Sequence, residues 1–193
     1  MRLPEIDRGD GLGNRLLIGL ISVVSGMRLP DAARVAFYHR DFFSGSMGAW
    51  TQKVMRGPSD WTIGERELMA AMVAKWNSCT FCVGAHGAIA AKEMPRRLVD
   101  DALGDYRTAL LPPYLRATLA FLEKLTLHPS EVAPTDAQAV LSAGVAPNAV
   151  EDAIAVASVF SIVTRYADAL AFAIPTEGEF DRAGDMLLKR GYA

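Results

Sequence analysis

The chain has 193 residues, 51% of them apolar and 22% charged, with a net charge of −2 and two cysteines. That length suits one sizeable domain, the composition excludes disordered and collagen-like chains, and the scattered basic residues leave no electrostatic footprint for nucleic acid. The cysteines, Cys79 and Cys82, stand three positions apart, and a bridge closing so small a loop would remove little unfolded-state entropy, which sets aside a secreted disulfide scaffold.

Alanine is abundant, β-branched residues are few, and apolar positions recur at three- and four-residue spacing, so the fold is expected to be all-α. A first helix is predicted over 14–25. A second follows Pro30, with Asp31 placed to cap it, and runs with a break near Gly45 to about Met55. Gly57-Pro58-Ser59-Asp60 reads as a loop. Thr62 and Glu65 have capping-box spacing, so the next helix is expected from Ile63 to Trp76. Asn77-Ser78 interrupts it, and a further helix is predicted from Cys79 to about Lys92. Pro95 opens a short helix ending near Gly104, and Pro112-Pro113 opens one that stops before His128-Pro129. Thr135 to Ala143 forms another, closed by Gly144. The longest is expected from Ala149 to Ile174, ended by Pro175. An amphipathic helix over 179–190 comes last, packing on this bundle or on a neighbouring subunit. No linker divides the chain, so residues 1–193 read as a single all-helical domain.

The chemistry-bearing residues concentrate in one stretch. On a helix, positions 79, 82 and 86 share a face, bringing both sulfurs and the His86 imidazole together. If the two helices fold back antiparallel about Asn77-Ser78, Glu67 comes level with His86. A thiolate near a helix N-terminus is stabilised by free amides and the helix dipole. His86, one turn after Cys82, can accept a proton or hand one to a leaving group, and Glu67 can orient the imidazole. A second thiol can capture a sulfenic acid and close a disulfide. Zinc is the competing reading, since Cys79, Cys82, His86 and Glu67 could supply four ligands, but such sites usually draw their second pair from a separate segment. We therefore expect no metal and no bound cofactor. His39 and His128 lie in no recognisable spacing, Trp61, Trp76 and Phe81 read as core or pocket walls, and Ser44, Ser46, Ser158 and Ser161 lack a nucleophile-elbow context.

The spacing Glu, eleven residues, Cys, two residues, Cys, three residues, His is met by Glu67, Cys79, Cys82 and His86. In this the chain resembles the alkylhydroperoxidase D-like proteins of the carboxymuconolactone decarboxylase superfamily, and is most like their peroxidase-related members. Thr135-Asp136, Ala143-Gly144 and the long helix with Phe160, Arg165, Ala167 and Asp168 extend the resemblance over about 61–172. It implies an all-helical bundle with an antiparallel helix hairpin carrying the CxxC motif, assembly into homo-oligomers (trimers or hexamers), and thiol-dependent reduction of hydroperoxides. It also implies that Cys82 attacks the peroxide, Cys79 resolves it, Glu67 and His86 relay protons, and an external dithiol, for instance a lipoyl protein, returns the electrons. The chain departs from the pattern in two respects: the best-known members carry His where Phe81 stands, and relatives often carry asparagines where Ser161 and Thr164 stand near Arg165. Helix-dipole reasoning points instead to Cys79 as the more acidic thiol, but the His86 contact at i+4 favours Cys82, and because a proton acceptor within reach does more than a partial charge, Cys82 is expected to attack.

The function expected is a thiol peroxidase. The alternatives are a general disulfide oxidoreductase and a non-catalytic helical oligomer that senses redox state. The uncharged apolar runs 16–27 and 153–164 are 12 residues each, below the ~20 needed to span a bilayer. Glu5, Asp7 and Asp10 argue against a secretory signal. The expected location is the cytoplasm, without membrane or nucleic-acid partners.

Overall fold

Residues 1–9, 11–38 and 45–192 are described by a computed structural model, and His39 and Ser44 lie outside them. Among the described residues all regular secondary structure is helical, and eleven α-helices are formed. α1 (Pro4–Arg8), α2 (Gly11–Ser25) and α3 (Asp31–Tyr38) precede α4 (Gly48–Arg56), and residues 39–44 of the predicted second helix fall outside the described residues. Asp31 lies inside the first turn of α3 instead of capping it. Its buried carboxylate pairs with Arg28 at 2.5 Å and accepts the Ala173 amide at 2.8 Å, tying α3 to a distant part of the chain.

α5 (Ile63–Trp76) has the predicted bounds and the predicted cap: Thr62 Oγ1 accepts the Glu65 amide at 3.2 Å, and Glu65 Oε2 accepts the Thr62 amide at 2.9 Å. Every residue from Gly64 to Ala74 is buried, so α5 is the central helix and has no solvent face. α6 (Thr80–Glu93), α8 (Pro113–Leu127) and α10 (Pro147–Ala169) pack against it, with α7 (Arg96–Asp105) and α9 (Pro134–Ser142) outside. Leu68, Met69, Met72, Leu115, Leu119, Leu122, Val156 and Phe160 fill the space between these helices. Each contributes about 1.5–3 kcal/mol by leaving water.

A central helix buried all round must also settle its charges, because an unpaired buried ion is strongly unfavourable. Glu65 is occupied by the cap and by the Tyr114 hydroxyl at 2.7 Å. Arg66 donates to the carbonyls of Val54 at 3.0 Å and Gly57 at 2.9 Å, which fixes the loop between α4 and α5. Glu67 is the third.

α10 ends five residues before the predicted Ile174. Ala171 takes φ +50, the Phe172 amide bonds to the Ala167 carbonyl at 2.9 Å and the Ala171 amide to the Asp168 carbonyl at 3.2 Å. This is a Schellman stop, built without the glycine that usually marks one in a sequence. Phe172 and Ala167 share an apolar cluster, so hydrophobic contact replaces glycine in favouring the turn.

The last helix, α11 (Glu177–Arg190), packs on α6 of its own chain. Gly84 makes that approach feasible, since a Cβ there would stand 2.5 Å from the Phe180 ring. Lys92 anchors the contact through Asp181 at 2.7 Å and Asp185 at 3.0 Å. By contrast, α2 leaves Leu12, Leu16, Leu20, Val23 and Val24 exposed. No helix among the described residues is long and apolar enough to cross a membrane.

Candidate active site

The turn between α5 and α6 creates the site. Ser78 adopts φ +62, its amide bonds to the Lys75 carbonyl at 2.9 Å, and the Cys79 amide bonds to the Ala74 carbonyl at 2.9 Å. The chain therefore reverses in two residues, and Cys79 becomes the N-cap of α6, its carbonyl accepting the Val83 amide at 3.1 Å. The antiparallel pairing brings Glu67 and His86 together as the sequence spacing requires. His86 Nδ1 lies 2.7 Å from Glu67 Oε2, with both side chains buried. The His86 ring also meets Phe160 edge-on at 4.4 Å.

Glu67 is held on both oxygens. Oε2 faces His86, while Oε1 receives the Tyr192 hydroxyl at 2.8 Å and stands 2.7 Å from Arg56 Nη2. Burial favours the neutral acid, but His86, Arg56 and Tyr192 together outweigh it and hold the carboxyl below its ordinary 4.5. An ionised carboxylate can only accept, so His86 Nδ1 carries the hydrogen and Nε2 is the nitrogen left for proton exchange. A carboxylate whose pKa falls on folding stabilises the fold fully above its unfolded value, and the contribution drains away as pH drops through the folded value. Stability should therefore fall below about pH 4.5, and urea titrations at stepped pH check this: Glu67→Gln should flatten the acid-side loss relative to the parent protein.

Cys79 and Cys82 are free and fully buried. The Cys82 thiol directs its hydrogen at the Cys79 sulfur; burial opposes the resulting stabilisation of a Cys79 thiolate, and the Cys82 backbone amide adds to it. The Asp168 carboxylate acts against it, yet the net effect lowers Cys79. Cys82 is pushed up, first by that same hydrogen bond and then by burial and the charge of Cys79. In the reduced pair the first proton to leave is thus best assigned to Cys79, the end nearer the helix N-terminus. A cleft of about 300 Å³ is lined by Arg2, Ser78, Thr80, Phe81, Asp168 and Phe172 among others; Ser78, Thr80 and Phe81 flank the two cysteines in sequence, and the cysteines themselves do not line it.

Phe81 packs edge-on against Phe172 at 5.2 Å and at a tilt against Phe180 at 5.9 Å. It joins α6 to the turn after α10 and to α11, which is an apolar role. Thr164 is also spent locally, donating to the Phe160 carbonyl at 2.8 Å. His128 is exposed. Trp61 donates to the Ala149 carbonyl at 2.7 Å within the core. Among the described residues no three His, Cys, Asp or Glu side chains are grouped to hold a metal ion.

Sequence reasoning misses two residues of the site. Arg56 and Tyr192 belong to segments remote from the motif, and neither has a spacing signal. The available hint is indirect: a carboxylate on a helix buried all round requires a cation, and Arg56 closes the preceding helix.

No family profile and no curated protein sequence matches the chain. Solved structures do. An uncharacterized peroxidase-related protein from Silicibacter sp. TM1040 superposes with a TM-score of 0.78 at 24% identity, over 93% of each chain. An alkylhydroperoxidase AhpD core, an uncharacterized peroxidase-related protein from Ralstonia eutropha JMP134, gives a TM-score of 0.73 at 26% identity over 95% of each chain. The chain has the all-helical fold of the alkylhydroperoxidase D-like proteins, as the sequence resemblance implies.

Proposed function

We propose that this chain is a two-cysteine peroxidase that reduces hydroperoxides through a Cys79/Cys82 dithiol and disulfide cycle. The observation that supports it most is the buried Glu67–His86 pair at 2.7 Å on the hairpin that also carries two free thiols. Cys79, the N-cap of α6, precedes Cys82 by three residues and His86 follows it by one turn, so Cys82 stands between a proton acceptor and an imidazole able to exchange protons. In this reading His86 Nε2 takes up the proton that leaves Cys79, and Cys82 then gives its own proton to the Cys79 thiolate and attacks the terminal peroxide oxygen. The O–O bond breaks, Cys82 becomes a sulfenic acid, and the alkoxide leaves as an alcohol with a proton passed from His86. Cys79 then attacks the sulfenic sulfur, and the S–O bond breaks with release of water. An external dithiol, such as a lipoyl group on a partner protein, reduces the Cys79–Cys82 disulfide and is itself oxidised.

The lowered pKa at Cys79 favours a second reading in which the two sulfurs exchange roles. We further propose a cytoplasmic location and assembly into a trimer or hexamer, the exposed apolar stripe of α2 being a suitable contact between chains. Steady-state assay with an organic hydroperoxide and dihydrolipoamide tests the function. Multiple turnovers are expected; oxidation that stops at one equivalent per chain and alters the assembly would instead indicate a redox sensor, and reduction of protein disulfides without peroxide turnover an oxidoreductase.

A further inference from the structure

The Glu67–His86 couple has a buried partner from outside the hairpin. Tyr192, beyond α11, brings its hydroxyl to 2.8 Å from Glu67 Oε1 and 3.3 Å from His86 Nδ1, with its ring inclined only 19° to the imidazole. Its placement is specified by several independent contacts. Gly191 turns the chain with φ +74, and a Cβ there would stand 2.3 Å from Gln52 Oε1. The Tyr192 amide donates to that same Gln52 oxygen at 2.6 Å. The Arg56 guanidinium lies over the phenol ring at 4.9 Å. Gln52 and Arg56 are one turn apart on α4, so a single helix face grips both the backbone and the ring of Tyr192.

We propose that Tyr192 is a positioning residue of the proton relay, its hydroxyl and Arg56 engaging Glu67 Oε1 so that the carboxylate stays ionised with Oε2 directed at His86. This rests on the peroxidase reading and extends it to a residue the CxxC motif does not contain. Burial and the Glu67 charge hold the Tyr192 phenol protonated, so toward Glu67 it acts as a donor. A carboxylate in an apolar site keeps its charge through such donors, and each one removed shifts the balance toward the neutral acid. Neutral Glu67 no longer fixes the hydrogen of the imidazole on Nδ1. Because Tyr192 follows α11, the docking of α11 on α6 also determines whether the relay is complete.

Tyr192→Phe keeps the ring and removes the donor, and Gly191→Ala keeps the phenol but disturbs the turn that delivers it. Carbon-13 NMR of the Glu67 carboxyl should show Tyr192→Phe protonated at a pH where the parent protein is still ionised, both being folded by circular dichroism. The acid limb of hydroperoxide turnover should move upward with it, with kcat near that limb reduced about tenfold, as for the loss of one charge-assisted hydrogen bond. Gly191→Ala should move both readouts in the same direction. A Glu67 signal in Tyr192→Phe that stays ionised over the whole range in which the parent does would overturn the proposal. The carboxyl titration needs no turnover, so a parent protein inactive on hydroperoxide would refute the peroxidase reading while leaving the role of Tyr192 decided by NMR.

Discussion

Cys82→Ser and Cys79→Ser are each expected to lower steady-state turnover of hydroperoxide by at least about a thousandfold, since both sulfurs are needed in every cycle. The two variants should differ in what they accumulate. With Cys79 replaced, no thiol remains to resolve the intermediate, and one equivalent of hydroperoxide should leave a sulfenic acid on Cys82 that dimedone traps. With Cys82 replaced, Cys79 should remain largely unmodified. Label found only on Cys79 would exchange the roles, an outcome consistent with the donors that surround that sulfur at the head of α6. The comparison is informative because Cys82 is raised partly by Cys79 itself: removing Cys79 frees Cys82 from the neighbour that holds the shared charge.

Glu67→Ala should be the most destabilising single change in the site. It leaves Arg56, with its side chain 8% exposed, without its counter-ion, and it strips His86 and Tyr192 of their acceptor. Breaking a buried ion pair from one side costs about 3–5 kcal/mol, equivalent to a Tm lower by roughly 10 °C for a chain of this size. Glu67→Gln should cost less, because the amide oxygen still accepts a hydrogen bond and the volume is preserved. Scanning calorimetry separates the two variants, and a Tm for Glu67→Ala within a degree of the parent would show that the cluster adds nothing net to stability. The double variant Arg56→Met, Glu67→Met bears on the same point: replacing both charges with apolar side chains should recover part of the lost stability.

Much of this architecture is legible in the residues themselves. Capping boxes are local and strict, so Thr62 and Glu65 set the start of α5 to the residue, and Asn77-Ser78 places the turn that stacks Glu67 on His86. The early end of α10 is not legible in the same way, because Ala171 adopts a left-handed turn through the contact of Phe172 with Ala167 and not through glycine. Asp31 looks like a cap and is instead a long-range acceptor for Ala173. The same distinction governs the site. Its core follows from helical spacing within one hairpin, whereas Arg56 and Tyr192 arrive by tertiary packing of α4 and of the segment after α11, which spacing does not encode. Phe81 is explained only by Phe172 and Phe180 packed beside it.

The most direct measurement is a count of free thiols before and after one equivalent of hydroperoxide, with peptide mass mapping and assay of the alcohol formed. The peroxidase reading predicts that both thiols disappear together into a Cys79–Cys82 disulfide, with one alcohol produced per chain. Two thiols still titratable after the peroxide is mixed in, with no alcohol formed, would contradict it.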